Sequence, residues 1–213
     1  MKKAILFDID GTVLDTQEFV FEGVKYALAQ IGYPYPSEKD IKKVMGKPLV
    51  EFYSSLLPEI ESDKLSRLHR QFQEKNYHLI KPFPKTKKII AELKRKGYLI
   101  AAVSNRMRES LIYSLKLSEV FEYFDVIVAA DDVVNPKPHK DHLLVALEYL
   151  KIQPEEAFMV GDTENDILAG KNAGVKTVGV TYGWMGKDIA KHKPNYVIDD
   201  MDQLTEILKY DKI

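Results

Sequence analysis

Ala4-Ile5-Leu6-Phe7 is an unbroken apolar run, not an alternating one, and predicts a short strand buried on both faces, as in a parallel sheet covered by helices. A different period follows. From Thr16 to Ile31, the residues Phe19, Val20, Val24, Ala27, Leu28 and Ile31 recur at helical spacing, and Gly32 stands where that helix ends. Ser37 with Asp40 three residues on forms a capping-box pattern, opening a short helix through Val44 that Gly46 stops. Another helix is expected from Pro48 to Leu57, and Leu65, Leu68, Phe72 and Leu79 mark a longer one after Ser62. The stretch from Asp15 to Ile80 is therefore helical in pattern throughout.

Lys81-Pro82-Phe83-Pro84 reads as a stiff linker, and beyond it helix and strand alternate. Strands are expected at Tyr98 to Val103, Asp125 to Ala130, Ala157 to Val160, Lys176 to Val180 and Tyr196 to Ile198. Helices are expected up to Lys96, then Glu109 to Leu117, His139 to Leu150, Glu164 to Ala173 closed by Gly174, and Gln203 to Lys209. Such alternation predicts a doubly wound parallel sheet in an α/β fold. The first strand belongs to this sheet, yet the whole helical stretch separates it from the second strand, far more than a crossover of about 12 residues needs. We expect a Rossmann-like core over 1–14 and 82–213 with an inserted α-helical cap domain over 15–81.

At 213 residues the chain is long enough to bury roughly 70% of its unfolded surface, so it needs no covalent staples. The 31 Lys and Arg residues balance 32 Asp and Glu residues, giving a formal net charge of -1 and no global field to draw nucleic acid or an anionic membrane. No cysteine is present, which excludes disulfides, thiolate metal sites and a cysteine nucleophile, and agrees with a reducing compartment. Lys2 and Lys3 precede the first apolar run, but Asp8 interrupts it too early for an export signal, and no apolar stretch approaches the roughly 18 residues that span a bilayer. A cytoplasmic protein is expected. Its oligomeric state is not readable.

Candidate chemistry collects where strands end. Asp8-Ile9-Asp10-Gly11-Thr12 closes the first strand; side chains two apart on an extended chain point the same way, so Asp8 and Asp10 can face one small volume. Gly11 permits a sharp turn and Thr12 adds a hydroxyl. Paired carboxylates of this kind occur in metal sites, in phospho-acceptor domains and in plain acidic turns. Ser104-Asn105 ends the second core strand, as an anion seat or as a helix cap. Gly161-Asp162-Thr163-Glu164-Asn165-Asp166 adds two carboxylates one helical turn apart, either hard-cation ligands or caps. Lys137 lies between Pro136 and Pro138, which restrict its backbone; it is a solvated loop lysine or, opposite the carboxylates, a phosphate holder. The five histidines show no metal-ligand spacing beside carboxylates and are given no role.

Taken in order, D-x-D-G-T, the strand-end Ser-Asn, the lysine before proline and G-D-x-x-x-D resemble the haloacid dehalogenase-like hydrolase superfamily over nearly the whole chain. Within it, Val180-Thr181-Tyr182-Gly183-Trp184 and Asn195-Tyr196-Val197-Ile198-Asp199 are similar to the phosphoglycolate phosphatase-like and pyrophosphatase-like branch. One departure is Lys140, where relatives often carry a second proline.

The resemblance implies that Asp8 is a nucleophile forming an aspartyl-phosphate, and that Asp10 protonates the leaving oxygen and then activates water. It implies Mg²⁺ held by Asp8, Asp162 and the backbone carbonyl of Asp10, with Asp166 and Thr12 behind those ligands. Ser104, the backbone near Asn105, and Lys137 would bind the phosphoryl oxygens. Lys47, in the Gly46-Lys47-Pro48-Leu49 break, and Arg106 are candidates for touching substrate; each reads equally well as an exposed surface cation. The expected activity is a Mg²⁺-dependent phosphatase acting on a small phosphorylated metabolite. A phosphomutase is the alternative, since the same clusters serve both, and a phospho-acceptor or binding protein without turnover is a third. A dehalogenase suits the chain less, because carbon-halogen displacement leaves no alkoxide for Asp10 to protonate.

Overall fold

The computed structural model describes residues 3–210. Strand β1 (Ala4–Phe7) is fully buried and lies inside the sheet, as its unbroken apolar run requires. The chain then turns through β2 (Leu14–Asp15) into four helices: α1 (Gln17–Ala29), α2 (Glu38–Lys43), α3 (Leu49–Leu56) and α4 (Ser62–Asn76). It returns through β3 (Lys81–Pro82) to α5 (Thr86–Arg95), β4 (Leu99–Val103), α6 (Arg108–Leu117) and β5 (Val126–Val128). The last third runs α7 (Asp141–Leu150), β6 (Ala157–Gly161), α8 (Glu164–Ala173), β7 (Lys176–Val180), β8 (Tyr196–Ile198) and α9 (Asp202–Tyr210).

Six strands form one wholly parallel sheet in the order β5-β4-β1-β6-β7-β8. Alternate residues of each strand serve opposite faces. Ile5 and Phe7 pack with Ile89, Ile90 and Leu93 of α5, Leu111 and Leu115 of α6, and Leu204 and Leu208 of α9. Ala4 and Leu6 pack on the other face with Leu143, Ala146 and Leu147 of α7 and Ala169 and Ala173 of α8. Each large side chain buried in this way contributes about 1.5–3 kcal/mol. The doubly wound sheet expected from the alternating pattern is thus present, with β1 at its centre. The chain builds outward from β1 through β4 to β5, then crosses back to place β6 on the other side of β1. The crevice at that reversal, beyond the carboxyl ends of β1, β4 and β6, is where ligands bind in such sheets.

The helical insertion has its own apolar cluster: Val24, Ala27 and Leu28 of α1, Ile41 of α2, Phe52 and Tyr53 of α3, and Leu65 of α4. Its start is fixed by Asp15, whose Oδ1 accepts from the Gln17 amide at 3.1 Å, and the Ser37 cap accepts from the Asp40 amide at 3.2 Å. Details of the connections differ from the sequence reading. Lys81-Pro82 is not a bare linker: it pairs antiparallel with Leu14-Asp15, Leu14 opposite Pro82 and Asp15 opposite Lys81, so both crossings between sheet and helices form one ribbon. A short 3₁₀ stretch, Gly186–His192, also lies between β7 and β8, where no element was expected.

Helices α1 and α4 meet closely at Gly23, where an added Cβ would lie 2.4 Å from Nε2 of His69. The His69 ring is buried and is held by a hydrogen bond with the Tyr53 hydroxyl at 2.8 Å, which a displaced ring would lose. Alanine at a helix interior is normally worth about 1 kcal/mol over glycine. Here the overlap outweighs it, and Gly23→Ala is expected to destabilise the protein by about 1–3 kcal/mol in urea unfolding. A stabilised variant would show that the ring yields.

Candidate active site

At the carboxyl end of β1 the Asp8 amide still donates to the Val160 carbonyl of β6 at 2.9 Å, which sets Asp8 beside the Gly161-Asp162 turn. A tight turn follows: the Leu14 and Val13 amides donate to the Ile9 carbonyl at 2.9 and 3.0 Å, and the Gly11 amide to the Leu14 carbonyl at 2.8 Å. Gly11 sits at φ +92°, and a Cβ there would lie 2.3 Å from Asp162 Oδ2, so this turn and the Asp162 carboxylate can approach only with glycine between them.

Asp8, Asp162 and Asp166 are buried and bring one carboxylate oxygen each within 4.8 Å of one another. Lys137 faces them. Its ammonium, 1% exposed, donates to Asp8 Oδ1 and Asp166 Oδ1, both at 2.7 Å, and to the Val103 carbonyl at 2.9 Å. Burial, and then repulsion from Asp166, pushes the Asp8 carboxyl up to about 8 despite this lysine. Burial followed by Asp8 and Asp166 raises Asp162 well above the ordinary carboxylate range. Burial alone would lower Lys137, but the charges of Asp166 and Asp8 outweigh it and hold the ammonium firmly protonated. Ionised together, the three carboxylates would exceed the one ammonium by two charges; a hard divalent cation would offset that excess, and oxygen donors in that number suit one.

The three carboxylates are not equally available. Asp162 Oδ1 accepts from the Thr12 hydroxyl at 3.2 Å and Oδ2 from the Trp184 amide at 2.6 Å. Asp166 gives Oδ1 to Lys137 and Oδ2 to the Thr163 amide and hydroxyl at 3.0 and 2.6 Å, capping α8 from its first turn. Asp8 Oδ2 makes no hydrogen bond among the described residues. Asp8, Asp10, Ser104, Lys137 and Asp166 line a cavity of about 720 Å³ that runs out between the sheet and the helical insertion past Met45, Leu49, Phe52 and Tyr113. Asp162 is not on its wall.

The remaining sequence candidates divide. Ser104 is buried and its hydroxyl accepts from the Arg106 amide at 3.2 Å. The Asn105 side chain is wholly engaged: its amide donates to the Gly46 carbonyl at 2.7 Å and the Lys137 carbonyl at 2.8 Å, and its oxygen accepts from the Lys137 amide at 2.9 Å. It therefore holds the lysine loop to the helical insertion, and its backbone is what remains for an anion. Lys47 lines the cavity but pairs with Ser55 at 2.9 Å and Glu51 at 3.2 Å on α3. Arg106 is not a surface cation: it donates to Asp10 at 3.2 Å and to Ser110 at 2.8 Å.

A family model described as haloacid dehalogenase-like hydrolase matches residues 5–180. The chain belongs to that family. This haloacid dehalogenase-like hydrolase is 35% identical over 209 residues to pyrophosphatase PpaX of Bacillus mycoides, covering 96% of this chain and 95% of the relative. It is 34% identical over 206 residues to pyrophosphatase PpaX of Bacillus velezensis, at the same coverage. Among solved structures, one described as a predicted phosphoglycolate phosphatase from Haemophilus somnus superposes with a TM-score of 0.91 at 24% identity, covering 97% of this chain and 98% of that one, a likeness of fold. No helix among the described residues is long and apolar enough to cross a membrane.

Two contacts of this haloacid dehalogenase-like hydrolase carry no motif. The Trp184 amide on Asp162 is a backbone group, and its one mark in residue type is the Gly183 before it, where a Cβ would lie 2.3 Å from Asp162 Oδ2. His69, given no role from spacing, lies on the cavity wall and is held neutral, its basicity pushed down to about 3 by burial and then by Arg106 and Arg70. The signal for His69 was available: it falls between Leu65 and Phe72 on the apolar stripe of α4.

Proposed function

We propose that the protein is a Mg²⁺-dependent phosphatase acting on a small phosphorylated metabolite through an aspartyl-phosphate at Asp8. The observation that carries this reading is the placement of Asp8 and Asp10 on one cavity wall, with the buried Lys137 ammonium 2.7 Å from Asp8. Asp8 Oδ2, free of hydrogen bonds within the protein, attacks phosphorus in line with the departing oxygen. Asp10 gives that oxygen a proton, then takes one from the water that cleaves the acyl phosphate. Lys137, Ser104 and the backbone at Asn105 hold the phosphoryl oxygens, where the charge of the transition state is spread.

Asp8, Asp162 and the backbone carbonyl of Asp10 would hold Mg²⁺, with Thr12 and Asp166 orienting the set; Asp166 has both oxygens committed to Lys137 and Thr163. When bound, the ion offsets repulsion between the attacking carboxylate and the phosphate dianion. The helical unit over 15–81 acts as a cap on the core of 1–14 and 82–213, excluding water as it closes, and Lys47 borders the substrate. The relatives named for pyrophosphate and phosphoglycolate make these the first substrates to try, and the lack of cysteine suits a cytoplasmic setting.

The test is phosphate release from an aryl phosphate, pyrophosphate and phosphoglycolate, with Mg²⁺ and with chelator. Turnover that stops with chelator is expected; no release from any of them in Mg²⁺ overturns the reading. A second readout needs no turnover. Binding to the folded state alone, Mg²⁺ at 100 times its Kd stabilises by about 2.7 kcal/mol, so the wild-type melting temperature should rise by a few degrees. Asp162→Asn should abolish the rise.

A further inference from the structure

Arg106 has more hydrogen-bonding capacity than the protein uses. Its side chain is 10% exposed. Nε donates to the Ser110 hydroxyl and Nη1 to Asp10 Oδ1, while Nη2 is buried with no partner. The guanidinium lies over the Phe19 ring at 5.3 Å and the Tyr77 ring at 5.9 Å, so its fork is held between the sheet and the insertion. A buried charged donor without an acceptor is costly, and one fixed on both sides cannot swing out to water. It borders the cavity beside Asp10, whereas the acids farther along that wall, Glu74 and Glu109, are exposed.

We propose that Arg106 determines specificity: its free Nη2 receives a second anionic group, a carboxylate or phosphate, carried on the leaving group of the substrate. The inference rests on the phosphatase reading for the identity of the leaving group. Nη1 stays on Asp10, the group that protonates the departing oxygen, so the second anion must lie within a few bonds of that oxygen. Esters of short hydroxy acids and diphosphates meet this condition. Monoesters with neutral alkyl or aryl tails pass the guanidinium and occupy the apolar length of the cavity instead. Lysine would keep the charge but could not serve Asp10 and the substrate together in one plane.

The test separates binding from turnover. In an Asp8→Asn background with Mg²⁺, calorimetry gives the Kd of phosphoglycolate and of ethyl phosphate, with and without Arg106→Gln. A hydrogen bond between charged groups predicts that phosphoglycolate binds ~30-fold more tightly, equivalent to about 2 kcal/mol. Arg106→Gln should bring the two within ~3-fold of each other, and Arg106→Lys should fall between, guarding against a glutamine variant that fails to fold. An equal loss for both esters, an unchanged ratio, or no preference at the outset overturns the assignment. Wild-type protein that keeps the preference yet releases phosphate from neither ester, nor from pyrophosphate or an aryl phosphate, overturns the phosphatase reading and leaves Arg106 as the site of the second anion alone. Binding of neither ester overturns both.

Discussion

Asp8→Asn should reduce phosphate release by ~10³-fold or more, about 4 kcal/mol of barrier, while melting at or above the wild-type temperature in chelator. The two halves have one cause. Asp8 is held among Asp162 and Asp166 in a buried site that raises its carboxyl to about 8, so its charge is a strain on the metal-free fold. Asparagine keeps the shape and removes the charge, and Lys137 retains Asp166 and the Val103 carbonyl. The attacking oxygen, however, is gone. Steady-state phosphate release and a melting curve on the same sample check both halves. A variant that loses activity only because it unfolds, or that keeps more than a tenth of it, would remove Asp8 from the centre of the reaction.

Lys137→Met should have the opposite balance, losing fold and activity together. Removing one partner of a buried ionic cluster costs about 3–5 kcal/mol, because the charges left behind have neither water nor counterion. Here Asp8 and Asp166 each lose a 2.7 Å contact with a residue only 1% exposed. The pH dependence has a definite sign. Asp8 has a folded-state value raised from 3.8 to about 8, so neutral Asp8 favours the fold at low pH, and stability falls as pH rises through the raised value. Without the lysine that value rises further, so in chelator the deficit of Lys137→Met should be smallest near pH 4 and largest above pH 8. Urea midpoints at the two extremes measure it. A deficit independent of pH would mean that lost packing, not uncompensated charge, governs the variant.

Most of this arrangement was legible in the chain because it depends on residue type at fixed spacing. Ala4–Phe7 has no polar position to face water, so it had to be an interior strand, and Asp8 and Asp10 then fell at its end. The cavity wall brings Asp8, Asp10, Ser104 and Lys137 together, as strand-end positions in a parallel sheet imply. What escaped reading was made by backbone or by chance proximity. The ribbon of Leu14-Asp15 with Lys81-Pro82 is two residues long on each side, too short to show any period. The Trp184 amide reaches Asp162 through a turn whose one mark in residue type is Gly183, where a Cβ would lie 2.3 Å from Asp162 Oδ2, and the glycine alone does not say which group the next amide meets. Arg106 carries the same letter whether it is solvated or enclosed by Phe19 and Tyr77, and only the packing of α1 against the sheet decides between them.

That ribbon has a consequence for how such a chain can be rebuilt. Because Leu14 faces Pro82 and Asp15 faces Lys81, the excursion into the helices leaves and rejoins the sheet at one point. The distance the core must bridge is already closed by two paired strands, so the number of residues between them places no demand on the sheet. A two-residue turn joining Asp15 to Lys81 would leave an ordinary hairpin, and a longer or differently folded excursion would fit the same ends. The helices between them are therefore exchangeable as a unit, while Asp8 and Asp10, six and four residues before Leu14, keep their places.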